Sequence, residues 1–227
     1  MSNVIITGST GMIGKGVLLE CIKNPSIQAI TLINRSPVDI QNSKIKEIIL
    51  SDFLNIDTVK EQLTGLDGCF HCMGVSSMRM SEDKYTKLTF DITKKLADLC
   101  FELNPKMTFN YVSGTGTSTS EKGRQMWARI KGRTENYILS KGFEKSYMFR
   151  PGFIIPENGI KSRTRFYQRI YNILSPFFPL LKKMNSVTTT GKIGKAMVNT
   201  LSKSGTDSIY LENREINKTA EIENQII

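Results

Sequence analysis

Val4-Ile5-Ile6-Thr7-Gly8-Ser9-Thr10-Gly11-Met12-Ile13-Gly14 is the stretch on which the reading of this chain turns. An apolar, strand-like run leads into glycines spaced G-x-x-G-x-x-G, then into a helix-like run, Val17-Leu18-Leu19-Glu20-Cys21-Ile22. In a dinucleotide site each glycine has a task. Gly8 allows the tight strand-to-helix turn, Gly11 lets the backbone approach a pyrophosphate, and Gly14 lets helix and strand pack closely. The helix start then offers free N–H groups and the positive end of its dipole to phosphate. A structural glycine turn is the alternative, but the order strand, glycines, helix is the context that a nucleotide site requires. Thr7, Ser9, Thr10, Met12 and Ile13 share the turn and are candidate contacts.

Outward from that turn, apolar strand-like runs alternate with helical ones. Strands are expected at Asn3–Thr7, Ala29–Asn34, Ile45–Leu50, Gly68–Met73, Thr108–Ser113, Ser146–Arg150 and Ser208–Leu211. Helices are expected near Ile13–Lys23, Ile56–Leu63, Glu82–Leu103, Lys122–Lys141 and Ile193–Leu201. This alternation predicts an α/β fold, a Rossmann-type doubly wound parallel sheet with helices on both faces. Right-handed crossovers place the ligand at the carboxyl ends of the strands. After Pro151 the pattern changes to an amphipathic run, Arg165–Leu174, and an apolar one broken by prolines, Ser175–Leu181. The chain, 1–227, is therefore expected to be a single domain, with 153–206 forming a small basic C-terminal substrate lobe that caps the pocket.

Composition narrows the classes. A chain of 227 residues can bury one sizeable core. No run approaches the roughly 18 to 20 apolar residues that span a bilayer. The N-terminus lacks a charged region followed by an apolar stretch, so no secretory signal is expected. Four cysteines do not suggest a disulfide framework, and a cytoplasmic location is expected. A single histidine, His71, excludes a multi-histidine metal site. The net charge of +10 is uneven. Residues 158–206 contain no Asp or Glu and hold Lys161, Arg163, Arg165, Arg169, Lys182, Lys183, Lys192, Lys195 and Lys203. That favours an anionic small-molecule substrate, peripheral membrane contact through 161–183, or nucleic acid, against the plainer reading of a solvated basic face. No recognition helix or RNA-binding motif supports the nucleic-acid reading.

Where NAD sites carry an acidic residue at the end of the second strand, this chain has Asn34-Arg35-Ser36. Arg35 can pair with a 2′-phosphate and Ser36 can add a hydroxyl, so NADP(H) is favoured over NAD(H). Asp52-Phe53 follows the third strand, where a carboxylate can bond an adenine amino group.

These residues resemble the short-chain dehydrogenase/reductases, in the extended or atypical branch that includes NAD-dependent epimerase/dehydratase-like proteins. The similarity runs from Met1 to about Pro156. It rests on Thr7–Gly14, Phe70-His71-Cys72-Met73-Gly74, Tyr111-Val112-Ser113 and Arg150-Pro151-Gly152. Within the branch the chain is similar to the small Tat-interacting-protein-like NAD(P)-binding members. The resemblance implies that Cys72, Met73 and Gly74 lie beside the cofactor and that Pro151-Gly152 lies against the nicotinamide. It further implies that Ser113 holds the substrate oxygen and that Lys131 lowers the pKa of a tyrosine four residues earlier and binds the nicotinamide ribose. That tyrosine position is Trp127. An indole N–H donates a hydrogen bond but cannot exchange a proton near neutral pH. Ser113, Thr115, Tyr85 or a water held by Lys131 would have to serve instead. Two readings follow: an oxidoreductase or epimerase-like enzyme, or an inactive nucleotide-binding regulatory or assembly protein. Oligomeric state is open.

Overall fold

The computed structural model describes residues 1–161, 165–182, 184–202 and 206–222, with the backbone alone at 165–167 and 170. Arg163, Lys183 and Lys203, and the side chain of Arg165, lie outside that description. Among the described residues there are nine strands: β1 (Ser2–Thr7), β2 (Ile27–Asn34), β3 (Ile45–Ile49), β4 (Gly68–His71), β5 (Thr108–Val112), β6 (Lys145–Phe149), β7 (Phe153–Ile155), β8 (Val187–Thr189) and β9 (Tyr210–Leu211). Seven pair in parallel in the order β3-β2-β1-β4-β5-β6-β9, while β7 and β8 form a separate parallel pair. The order reverses between β1 and β4, which opens a crevice at their carboxyl ends.

The central strands read as continuous apolar runs because both sheet faces are covered. Along β1, Val4 and Ile6 pack into one layer with Val17 and Leu18 of α1 (Met12–Lys23), and Ile5 packs into the other. The first layer is completed by Ile193 and Met197 of α7 (Thr190–Asn199). The second contains Leu96 and Cys100 of α3 (Ile92–Leu103) and Ile138 of α4 (Met126–Ser140). Small residues set the approach of α1 to α7: a Cβ on Gly16 would lie 2.6 Å from the Thr190 Cβ. Helix α7, within the stretch 153–206 expected to form a lobe, packs against α1. The described residues before it from Phe153 comprise β7, α5 (Arg165–Leu174), a 3₁₀ turn, α6 (Phe178–Leu181) and β8. Helix α8 (Asn213–Ala220) follows β9.

Three expected helices differ. Glu82–Leu103 is α2 (Glu82–Thr86), a π-type turn at Lys87–Asp91 and then α3. The wider turn absorbs an extra residue, and the Thr93 hydroxyl donates back to Thr89 O at 2.6 Å within it. Residues 122–125 are not helical; Gly123 has φ of +119°, and α4 starts only after Gln125. Over residues 56–62 the expected helix is part of a 3₁₀ segment, Phe53–Gln62, kinked at Asn55 and ended at Leu63.

Candidate functional site

The crevice is built on the glycine turn. Gly8 has φ of +75°, and a Cβ there would lie 2.7 Å from Met73 N. A Cβ on Gly14 would collide with Gly8 O. Gly11 N donates to Gly8 O at 2.9 Å, and Gly11 caps α1 without any side-chain bond. The first-turn N–H groups of α1, from Met12, Ile13 and Gly14, are thus the kind of donor set an anion can take up. Gly74, by contrast, has open space where a Cβ would go.

Beside the turn lies a cavity of about 260 Å³ lined by Gly8, Thr10, Ile33, Asn34, Arg35, Ser36, Phe53 and Met73. All but Ile33 are residues expected from sequence to contact a cofactor. Glycines that no side chain could replace, an uncapped helix start and this adjoining cavity fit a dinucleotide. Several expected contacts also make bonds within the protein. Ser9 and Asn34 are buried, and the Ser9 hydroxyl donates to Asn34 Oδ1 at 2.9 Å. The Asn34 amide donates to Glu47 Oε1 at 2.7 Å, and Val38 N donates to the same oxygen at 2.9 Å. Ser9 is therefore a brace between the turn and β2. Although the end of β2 carries no acid of its own, β3 brings Glu47 there, held by two N–H donors. Asp52 caps the 3₁₀ segment, accepting from Leu54 N at 3.0 Å. Cys72 N donates to Thr7 O at 3.1 Å, and burial pushes the Cys72 thiol far up.

On the other side of the crevice, helix α4 presents Trp127, Lys131 and Glu135 at i, i+4 and i+8 to the loop after β5. Trp127 lies under that loop, 3.5 Å from where a Gly116 Cβ would be. The Lys131 ammonium donates to the Ser113 backbone carbonyl. Burial lowers its pKa to about 8, against an opposing pull from the Glu135 charge. The Ser113 hydroxyl donates to Glu135 Oε1 at 2.5 Å, and Arg150 Nε donates to the same oxygen at 3.0 Å, with Nη2 on Oε2. Glu135 is fully buried. In this arrangement the Ser113 proton is directed at Glu135, and its lone pairs are left for a substrate donor.

The proposed substitutes for a phenol are also placed. Tyr85 is 1 % exposed and burial raises its pKa, so it does not face open crevice. Thr115 is exposed and donates to Arg150 O at 2.9 Å. His71 is buried between two threonines. Thr93 spends its proton on Thr89 O, so it accepts from His71 Nε2 at 2.9 Å, and Thr7 donates to Nδ1 at 2.6 Å. Burial, with the Lys131 charge, lowers the imidazole pKa to about 3. Pro151 O accepts from Thr115 N at 3.1 Å, and Gly152 N donates to Asn213 Oδ1 at 3.0 Å. Glu47, Glu135 and Asn213 are the residues that sequence reasoning missed. Only Glu135 left a signal, since it continues the four-residue spacing of Trp127 and Lys131.

The chain is similar to several known proteins. The chain is 27% identical over 161 residues to "Protein fmp52, mitochondrial" of Emericella nidulans, covering 68% of this chain and 67% of that one. It is 26% identical over 157 residues to "Protein HTATIP2" of Rattus norvegicus, covering 67% and 63%. Among solved structures, UDP-glucuronic acid 4-epimerase from Bacillus cereus in complex with NAD superposes with a TM-score of 0.66 at 16% identity, over 92% of this chain and 76% of that one. MoeE5 in complex with UDP-glucose and NAD superposes at 0.68 and 15%, over 92% and 75%. The relatives from Emericella nidulans, Candida albicans and Debaryomyces hansenii are all named mitochondrial, which overturns the expectation of a plainly cytoplasmic location. Residues 4–141 match the model of the NAD dependent epimerase/dehydratase family. With the parallel seven-strand sheet, the glycine turn at its switch point and a match over more than half its length, the chain belongs to that family.

Proposed function

We propose that this chain binds NADP(H) in preference to NAD(H) and is an oxidoreductase or epimerase-like enzyme acting on a small anionic molecule. The observation that carries this reading is the cavity in which Arg35 and Ser36 stand beside the glycine turn. Gly8, Gly11 and the start of α1 would take the pyrophosphate, Arg35 and Ser36 the adenosine 2′-phosphate, and Lys131, Gly74 and Pro151-Gly152 the nicotinamide end. A bound nicotinamide supplies a hydride acceptor or donor. The protein's own part is to orient the reacting carbon beside Ser113 and to present the Lys131 ammonium. Residues 153–206 would contribute the small basic substrate lobe. The similar structures holding UDP-sugars, which are anionic, support the substrate class.

A second reading, a nucleotide-binding regulator without turnover, is favoured by two observations together. Trp127 supplies no exchangeable proton, and the Ser113 proton is held by Glu135.

Calorimetric titration with NADP(H) and NAD(H), beside Arg35→Asp, tests the shared part of both readings. Micromolar or tighter NADP(H) binding, with the preference lost in the variant, is expected. Equal affinity for both nucleotides would remove the NADP(H) assignment. Binding of neither would reduce the glycine turn to architecture.

A further inference from the structure

Ile173, Phe177 and Leu180 recur at spacings of four and three through α5, the 3₁₀ turn Ser175–Phe177 and α6, and Met184 follows four residues later. That spacing lays Ile173, Phe177 and Leu180 along one face of the helical run, and Met184 lies just beyond its end. They are 73, 57, 65 and 49 % exposed. They make up half of the large exposed hydrophobic side chains among the described residues. The opposite face of the same element is already covered. Tyr171 is 9% exposed and packs with Phe153 and Phe178, ring centroids 6.0 and 6.4 Å apart. The outer stripe is therefore not the side that rests on the lobe.

A depression of about 490 Å³ opens at the end of the stripe and shares Met184 with it, Lys182 lining it too. Lys192, Arg214 and Lys218 also line it, with Glu221 as the acid. Lys182 and Lys192 reach Glu157 and Glu221 at 2.5 and 3.5 Å, in surface pairs that hold them weakly. Arg214 and Lys218 have no ion pair among the described residues. The stretch 158–206 around the stripe has no acid at all. Charge thus decides among occupants. A second copy would oppose this basic face to itself. A free phosphate would fill the depression and leave the stripe bare.

We propose that this face docks on an anionic phospholipid bilayer. Ile173, Phe177, Leu180 and Met184 enter the boundary between headgroups and acyl chains, and Lys182, Lys192, Arg214 and Lys218 meet the headgroup phosphates. The inference does not depend on the nucleotide assignment.

Co-sedimentation with vesicles of phosphatidylcholine alone, and of phosphatidylcholine mixed with phosphatidylserine, tests it. Binding to the anionic vesicles, falling with salt, is expected, with none to the neutral ones. Phe177→Ser with Leu180→Ser, and separately Arg214→Glu with Lys218→Glu, should each cut partitioning about tenfold or more. Unchanged thermal melting identifies the variants as folded, and the two pairs check each other. Equal binding to both vesicle types overturns the proposal. So does retention of binding in both variants, or in the apolar pair alone, which would leave charge attraction without insertion. Loss of self-association rather than vesicle binding in the variants would assign the face to a second copy. Full competition by millimolar inorganic phosphate, with the apolar pair silent, would assign the depression to free phosphate.

Discussion

The Ser113 hydroxyl donates to Glu135 Oε1 at 2.5 Å, so the residue positioned to meet a substrate is tied to a buried carboxylate on the neighbouring helix. Arg150, at the end of β6, completes the unit from the other side, and its guanidinium lies 4.2 Å from the centre of the Tyr210 ring. One ion pair thereby joins β5, α4, β6 and β9 just behind the crevice. A substrate hydroxyl can donate to the Ser113 lone pairs. A substrate carbonyl finds no proton there unless the Glu135 bond opens.

Removing one member of this unit should be costly. Glu135→Ala leaves Arg150, whose side chain is 12% exposed, without its partner. Breaking a buried pair from one side costs about 3–5 kcal/mol. Urea denaturation should show a loss of that order, and Glu135→Gln, which keeps a hydrogen-bond acceptor for Ser113, should lose less. A loss under about 1 kcal/mol in Glu135→Ala would mean that the pair contributes little to the fold.

Two glycines separate architecture from ligand approach. Gly14→Ala forces a methyl onto the Gly8 carbonyl, backbone against backbone, and should lower the melting temperature. Gly74→Ala adds a methyl to open space and should melt as the parent does. If a dinucleotide passes close to Gly74, the same variant binds it more weakly. Unchanged nucleotide affinity in folded Gly74→Ala would take that glycine out of the cofactor path.

Much of this was legible in the sequence, for identifiable reasons. Val4-Ile5-Ile6 is apolar without alternation because β1 is covered on both faces, and the glycines after it name the turn. The four-residue spacing of Trp127 and Lys131 put both on one face of α4. What could not be read depends on register between distant strands. Glu47 meets Asn34 only because β2 and β3 pair with Leu32 opposite Glu47. Ser9 belongs to the glycine motif, yet its hydroxyl turns inward, since Asn34 offers a buried acceptor. His71 stands beside the motif Cys72-Met73-Gly74 but one residue earlier, so strand alternation sends it between Thr7 and Thr93. Helix ends at Gln125 and the π-type turn at Lys87–Asp91 leave no periodic signature of their own.

Restoring a phenol tests the catalytic reading. Trp127→Tyr places it one helical turn before Lys131, whose ammonium would draw its pKa down. General acid–base assistance is worth about 10²–10⁴ in rate. Oxidation of NADPH with a panel of small carbonyl compounds should therefore rise by about 10² or more in the variant. A parent that already turns over as fast as the variant would show that the indole has not removed the proton donor. A variant as silent as the parent would favour the regulatory reading.

Lys131 makes stability and ligand binding respond to pH in opposite directions. Burial lowers its pKa to about 8, whereas an unfolded lysine titrates at about 10.4. Below pH 8 both states are protonated and the folded protein carries the full cost of burying the ammonium. Between about pH 8 and 10.4 the unfolded state binds the extra proton, so unfolding free energy rises with pH from this group. The difference between parent and Lys131→Met isolates it: the parent should gain stability relative to the variant as pH rises from 7 to 10. Over the same window the ammonium disappears from the crevice, so any nucleotide affinity that depends on it should fall in the parent and stay level in the variant. Thermal melts with and without nucleotide read both effects at once. Parallel curves for parent and variant would mean that Lys131 keeps an ordinary pKa and that its bond to the Ser113 carbonyl does not bury the charge.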